Sequence, residues 1–395
     1  MLARQLASTL TRLAQFFPVL TITGPRQSGK TTLARTLFAD KPYVSLEDPI
    51  ERAFAEEDPR GFLARFPTGA IFDEAQRWPD LFSHLQSMVD ENRVPGRFVL
   101  TGSQQFGLLA GVTQSLAGRV GITRLLPLAA TELAGVADGT LALDALLWRG
   151  CYPALHVQAV EPQDWFAAYV ASYLERDVRQ VLKVQDLNTF QRFLRLCAGR
   201  TGQLLNLSAL AGEAGVTQGT ARAWLSVLES SDVTYTLAPY HRNFGKRLVK
   251  SPKLYFVDTG LACWLLGIRS PEMVALHPMR GALFENWVVT EHLKQRYNAG
   301  QPADLYFWRD NNGAEADLLF ETPTGIIQTV EIKSGQTPTS DYIRAGHKSV
   351  RFVTEPAAPP QLIYGGDQSF ERSGVRVLGW RTLGMHSAEN PSNIS

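Results

Sequence analysis

The chain has 395 residues, 45% of them hydrophobic and 19% charged, with a formal net charge of +1. That length exceeds one ordinary core and predicts two or three domains. The composition excludes a disordered chain, and the near-neutral balance excludes a global electrostatic grip on nucleic acid, so any such contact needs a local basic patch.

The three cysteines, Cys151, Cys197 and Cys263, are far apart and form no CxxC pair. They point to a reducing compartment and against a structural zinc site. The N-terminal stretch is amphipathic, with Leu6, Leu10, Leu13 and Phe17, and lacks the continuous apolar core of a signal peptide. The apolar-rich region 125–148 is broken by Glu132, Asp138 and Asp144, so no membrane span is expected. A cytoplasmic protein without a membrane partner is the expectation.

Residues 19–23 are predicted as a buried strand and 31–38 as a helix. Between them runs Gly24-Pro25-Arg26-Gln27-Ser28-Gly29-Lys30-Thr31, followed by Thr32. A GxxxxGKT loop that follows a strand and opens a helix has the context of a P-loop. Its glycines let backbone N–H groups close around phosphates, and the helix N-terminus adds its dipole. Lys30 would reach the β- and γ-phosphates and the Thr31 hydroxyl would hold Mg²⁺, which makes ATP with Mg²⁺ the expected ligand. A plain Gly-rich turn is the alternative.

A second strand is predicted at 43–46 and a helix over 50–65, interrupted at Pro59-Arg60-Gly61. A third strand at 70–73 ends in Asp73-Glu74. Asp73 would contact Mg²⁺ through water, and Glu74 would polarise the attacking water. After a helix over 81–89, a fourth strand at 98–101 runs into Thr101-Gly102-Ser103-Gln104. Ser103 and Gln104 are both candidates for a polar side chain between Glu74 and the γ-phosphate; an ordinary turn is the alternative. Residues 120–123 form a fifth candidate strand. This βαβ alternation implies a parallel sheet with helices on both faces.

The order of P-loop, DE-ending strand and TGS-ending strand resembles an AAA-type ATPase. More narrowly, it resembles bacterial and archaeal AAA-family ATPases with a C-terminal domain of largely uncharacterised function. Leu116-Ala117-Gly118-Arg119-Val120 with Leu126-Pro127-Leu128, Arg149-Gly150-Cys151-Tyr152-Pro153 and Tyr173-Leu174-Glu175-Arg176-Asp177 are similar to segments of those families. The resemblance covers nearly the whole chain. It makes Arg119 the candidate for the arginine that neutralises transition-state charge, in cis or from a neighbouring subunit of an oligomer. A salt-bridged arginine is the alternative.

Residues 131–200 are predicted to be mainly helical. A long helix is expected over 165–181, with Trp165, Phe166, Tyr169 and Tyr173 as core. Ser208 is expected to cap a short helix ending near Gly215. Thr217 is expected to cap a second, with Ala221, Trp224, Leu225 and Leu228 on one face. Strands at 233–237 and 253–257 complete the outline of a winged helix. Between them, Arg242, Lys246, Arg247 and Lys250 have no acid among them. On a wing they would grip DNA phosphates; a packing module is the alternative.

A strand at 305–309, a turn at Asp310-Asn311-Asn312-Gly313 and a strand at 314–320 follow, with Glu315, Asp317 and Leu319 on one face. The strand at 329–333 puts Glu331 and Lys333 on a shared face. An Asp followed by E-x-K on a neighbouring strand resembles the PD-(D/E)xK, restriction-endonuclease-like fold, with Ala316-Asp317 in place of Pro-Asp. Asp317, Glu331 and the Ile332 carbonyl would hold a second Mg²⁺ or Mn²⁺, and Lys333 would orient or help deprotonate water. On the preceding helix Glu285 falls in an apolar arc with Phe284, Val288 and Val289, where a carboxylate needs a metal or a lysine. Glu291 is a second candidate. A pair of surface strands carrying Glu and Lys is the plain alternative.

The expected architecture is α/β. It comprises an AAA-type P-loop parallel-sheet domain over 1–135, a helical region over 136–202 and a winged-helix-like module over 203–270. A restriction-endonuclease-like domain over 271–384 and a disordered tail over 385–395 complete it. The expected function is an ATP-hydrolysing ATPase acting on DNA with a metal-dependent nuclease-like C-terminal domain. The alternatives are a nucleotide-gated DNA- or protein-binding switch without nuclease activity, and a motor working as a ring.

Overall fold

A computed structural model describes residues 2–103, 115–135, 141–174, 186–240, 250–309, 315–350 and 357–385, side chains 173 and 174 excepted. The chain divides into two compact units. One comprises Met1–Pro127, Ser230–Asp232 and Lys294–Pro302; the other comprises Leu128–Glu229, Val233–Leu293 and Ala303–Ser395.

The first unit is built on five parallel strands: β1 (Val19–Thr23), β2 (Tyr43–Ser45), β3 (Ile71–Asp73), β4 (Phe98–Gly102) and β5 (Val120–Arg124). Their order is β2-β3-β4-β1-β5. Alternate residues of β1 serve opposite faces, as strand geometry requires. Leu20 and Ile22 pack with Leu6 and Leu10 of helix Leu6–Leu13 and with Leu33 and Ala34 of helix Lys30–Leu37. Val19 packs on the other face with Phe62, Phe72, Trp78, Leu85 and Phe98. The interruption expected near Pro59 is a second helix start. Asp58 accepts from the Gly61 N–H at 2.9 Å, and Pro59 takes the first helical position, where no N–H is needed. The strand order sets β4 between β1 and β3, so their C-terminal ends lie side by side.

The second unit holds a mixed eight-stranded sheet, ordered β12-β13-β11-β10-β9-β8-β6-β7. Its strands are β6 (Thr234–Pro239), β7 (Lys253–Phe256), β8 (Leu305–Arg309), β9 (Glu315–Glu321), β10 (Ile327–Lys333), β11 (Gln361–Tyr364), β12 (Phe370–Arg372) and β13 (Val375–Gly379). β6 and β7 form the expected antiparallel hairpin. Through Ala238 and Pro239, β6 also pairs with β8, so the hairpin and the carboxylate-bearing strands share one sheet.

Helix Leu207–Ala214 ends at Gly215 with φ +77°, a left-handed cap suited to glycine. Its N-cap is Asn206 rather than Ser208: Asn206 is extended and its side chain accepts from Ala209 N–H at 3.0 Å, whereas Ser208 already lies inside the helix. Thr217 caps helix Gln218–Ser230 by accepting from Thr220 N–H at 3.1 Å. The long helix expected over 165–181 is instead helix Pro162–Tyr169 followed by a π-helical turn at Val170–Leu174. Residues 175–185 lie outside the described residues. Trp165, Phe166 and Tyr169 are buried around Tyr152, as a core stripe should be. All three cysteines are buried free thiols.

Helix Arg280–Asn298 carries Asn286, which is fully buried. Its amide donates to the Phe256 carbonyl at 2.7 Å and accepts from Phe256 N–H at 2.7 Å, fixing the end of β7. Replacing Asn286 by Ala strands a buried donor and a buried acceptor, so Asn286→Ala should destabilise the protein by about 2–4 kcal/mol, read as a lower urea midpoint.

Candidate functional sites

The loop after β1 is shaped by close approach. Gly24 has φ +144°, and a Cβ there would stand 2.1 Å from the Leu125 carbonyl oxygen, so only glycine fits. Arg4, ahead of the first helix, donates to Ser28 O at 2.6 Å and to Leu126 O at 2.7 Å, tying the loop to the chain after β5. Lys30 is buried and donates to Pro25 O at 2.8 Å. Burial lowers its pKa, against the opposing pull of Glu74 and Asp73. Thr31 is half-buried and Thr32 exposed.

Asp73, at the end of β3, is surrounded by hydroxyl donors. Thr31 donates to its two oxygens at 3.0 and 3.1 Å, Tyr43 donates at 2.9 Å, and Thr101 of β4 donates as well. Burial, then the Asp73 charge, pushes the Tyr43 hydroxyl up to about 12. Glu74 has φ +52°, an uncommon conformation for a residue with a side chain. Its Oε2 accepts from Ser103 Oγ at 3.1 Å and from Gln76 Nε2 at 2.5 Å. Ser103 therefore meets Glu74 as the strand order requires, while Gln104 lies outside the described residues.

Arg119 stands elsewhere. Val19 pairs with Val120, so Arg119 sits at the start of β5, whereas the P-loop leaves the far end of β1. Five residues of strand separate the two edges by about 16 Å. Arg119 forms a two-pronged ion pair with Asp90, at 2.5 and 2.9 Å. Of the expected alternatives for Arg119, this register sets it at the edge of the sheet away from the P-loop of its own chain, and the ion pair with Asp90 is the salt-bridged alternative.

In the second unit, Val330 pairs with Leu318. One step further, Glu331 of β10 faces Asp317 of β9. Ile332 N–H donates to Asp317 Oδ2 at 2.8 Å. Lys333 Nζ donates to Glu331 at 2.6 Å and lies 3.6 Å from Asp317 Oδ2. Glu285 joins the group and has found a lysine: Lys253 of β7 donates to it at 2.8 Å, and Tyr255 OH donates at 2.6 Å. Lys253 also pairs with Glu315, which Arg309 reaches at 3.3 Å.

Burial, then the Asp317 charge, pushes Glu331 up to about 7, against the pull of Lys333. Burial also raises Glu285 against the pull of Lys253. For Lys253 and Lys333 burial acts downward, but the surrounding carboxylates outweigh it and hold both above the ordinary lysine value. Among the described residues, no three His, Cys, Asp or Glu side chains are gathered closely enough to hold a metal ion by themselves. The lysines stand among the carboxylates instead.

Glu291 does not join this cluster. It is buried and accepts from Ala130 N–H at 2.6 Å, at the start of another helix. Lys250 is exposed ahead of β7; Arg242, Lys246 and Arg247 lie outside the described residues, as do the turn at 310–313 and the tail from 386. Among the described residues, no helix is long and apolar enough to cross a membrane. Sequence reasoning missed Arg4, Tyr43, Gln76, Thr101, Lys253 and Tyr255. Lys253 and Tyr255 alternate with buried Leu254 and Phe256 along β7, which marks a shared face but not its neighbour.

Comparison with known proteins finds three family matches along the chain. An AAA domain model matches residues 17–134. Two domains of unknown function, DUF8612 and DUF4143, match residues 140–272 and 280–383. The uncharacterised proteins Rv2008c of Mycobacterium tuberculosis and Mb2031c of Mycobacterium bovis are each 36% identical over 378 residues, spanning 95% of this chain and 82% of theirs. Among solved structures, the Walker-type ATPase PABY2304 of Pyrococcus abyssi is 14% identical, with 66% of this chain and 94% of that one covered at a TM-score of 0.45.

The raised Glu331 value carries a sign. Between the ordinary 4.5 and about 7 the folded chain holds this proton more tightly than the unfolded chain. The contribution of Glu331 to stability is therefore fullest below that window and is lost as pH rises through it. An infrared titration should show a carboxyl midpoint near 7 that is absent in Glu331→Gln and moves higher in Lys333→Met.

Proposed function

This chain belongs to the same family as the uncharacterised proteins Rv2008c and Mb2031c, and from that premise we propose that it hydrolyses ATP at its P-loop and acts on DNA through a nuclease-like C-terminal region. The AAA match makes ATP with a divalent metal such as Mg²⁺ the ligand of the first unit.

The observation that carries the ATPase reading is the grouping at three strand ends. Thr31 meets Asp73, and Glu74 is held by Ser103 and Gln76 beside the P-loop. Bound Mg²⁺ supplies charge neutralisation at the phosphates. Lys30, which donates to the Pro25 carbonyl, would turn to the phosphates. Thr31 and Asp73 would hold the metal, and Glu74 would orient and polarise the attacking water. Ser103 holds the Glu74 carboxylate in place. Arg119 is assigned to its ion pair with Asp90.

DNA action is supported by two features of the second unit. Helices Leu207–Ala214 and Gln218–Ser230 followed by the β6–β7 hairpin match a winged-helix outline. The segment with Arg242, Lys246, Arg247 and Lys250 supplies cations for phosphates. Asp317 facing Glu331, with Lys333 between them, supports the restriction-endonuclease-like reading. A Mg²⁺ or Mn²⁺ on Asp317 and Glu331 would stabilise charge at the scissile phosphate, and Lys333 would orient the water. The second reading, a nucleotide-gated switch without cleavage, is favoured by the ion pairing that Lys253 and Lys333 already give the carboxylates.

Lys30→Ala should abolish binding of a fluorescent ATP analogue. Glu74→Gln should keep that binding and lower hydrolysis by about 10²–10⁴-fold; hydrolysis at the wild-type rate would remove its assigned role. For the second unit, wild type should nick DNA with Mg²⁺ or Mn²⁺ and Lys333→Ala should not. If no single-stranded, duplex or branched DNA is cut with either metal, the switch reading replaces the nuclease.

A further inference from the structure

We propose that Arg4 is a positioning residue for nucleotide binding: its guanidinium fixes the Ser28–Gly29 peptide of the P-loop and so sets the Gly29 N–H for a polyphosphate. The inference rests on the P-loop reading and gives a role to an arginine outside the GxxxxGKT pattern.

Arg4 is buried two residues ahead of helix Leu6–Leu13, and Leu6 and Leu10 of that helix pack with Leu20 and Ile22 of β1. The helix thereby anchors Arg4 against the loop that leaves β1. One prong of the guanidinium donates to Ser28 O at 2.6 Å and the other to Leu126 O at 2.7 Å. Both bonds are short, as bonds from a charged donor are. The chain around Leu126 is itself tied to the start of the loop. Leu125 N–H donates to Thr23 O at 2.8 Å, and Gly24 lies against the Leu125 carbonyl. Thr23 to Ser28, Leu125 and Leu126 thus form a ring of backbone contacts that Arg4 closes.

A trans peptide points its C=O and its N–H in opposite directions. Holding Ser28 O on the guanidinium therefore holds the Gly29 N–H away from it. Gly29 needs such a hold. Its φ of +94° is a conformation that glycine enters and leaves at little cost, and it caps helix Lys30–Leu37, where its N–H has no partner within the helix. A Cβ built on Gly29 would stand 3.4 Å from Arg4 Nη1, so the guanidinium lies beside this residue. Arg4 removes the freedom that the glycine brings.

The two cations at the loop differ in what a ligand asks of them. Lys30 donates to Pro25 O within the loop and gives up that carbonyl to reach phosphates. Both prongs of Arg4 are on carbonyls, and one of these lies outside the loop, so its grip does not compete with a ligand. The loop keeps its shape while Lys30 turns, and binding energy is not spent on ordering it.

The test measures the affinity of the full chain for a fluorescent ATP analogue in wild type, Arg4→Ala and Arg4→Lys, each with native circular dichroism. Arg4→Ala should bind roughly 10- to 100-fold more weakly. Millimolar guanidinium, which meets both carbonyls again, should restore most of that loss, and methylammonium should not. Arg4→Lys keeps the charge without the planar fork and should stay weakened; it carries the test alone if Arg4→Ala does not fold. Wild-type affinity in either variant overturns the inference while the P-loop reading stands. A loss in Arg4→Ala that guanidinium leaves unchanged marks a general defect of the fold and overturns it as well. If wild type binds no nucleotide, the P-loop reading fails and this inference with it.

Discussion

A carboxylate withdrawn from water at the end of a β-strand is costly unless donors surround it, and both candidate sites are arranged around that requirement. Asp73 is met by three hydroxyls, from Thr31, Tyr43 and Thr101. Asp317 and Glu331 are met by a backbone N–H and a lysine, and Glu285 by a lysine and a tyrosine. The two solutions differ in kind. Around Asp73 the donors are neutral hydroxyls, which add no positive charge of their own. Ammonium groups cancel charge in the second cluster, where Lys253 and Lys333 stand among the carboxylates.

The nucleotide side depends on backbone approach as much as on charge. Gly24 brings the loop against the Leu125 carbonyl, closer than any side chain permits. Arg4 then holds the loop by two carbonyls, one in the loop and one after β5. The parallel order does the rest: with β4 between β1 and β3, Thr101 and Ser103 reach the carboxylates on the neighbouring strand. The left-handed Glu74 turns its side chain back toward Ser103 instead of continuing the strand, and that strained residue is the one assigned to the water.

The P-loop, Asp73, Glu74 and the parallel strands were legible because each rests on local chemistry: a glycine pattern, an acidic strand end, an alternation of apolar runs. Glu285 was legible as a carboxylate in an apolar arc that required a partner. The identity of that partner was not, because Lys253 is thirty-two residues away and reaches it through sheet topology. The place of Arg119 was not legible for the same reason. Its segment resembles a family signature, but only the register of β5 on β1 shows which edge of the sheet it occupies. Ser208 lost the cap to Asn206 because the helix begins two residues earlier than the apolar pattern marks. The long helix after Trp165 was read from periodicity, which does not distinguish a π-helical turn from a continued α-helix.

In the second cluster Glu331 holds its proton up to about pH 7 because burial and Asp317 oppose its charge. Lys333 relieves that opposition only in part, since it is shared between Glu331 and Asp317. The two lysines of the cluster differ in burial: the Lys253 side chain keeps 3% of its surface exposed and that of Lys333 keeps 33%. Lys253 thus joins Glu285 to Glu315 away from water, while Lys333 meets Glu331 and Asp317 beside it. A buried ammonium whose carboxylates are removed is left unpaired, so Lys253 depends on Glu285 and Glu315 more than Lys333 depends on its own partners.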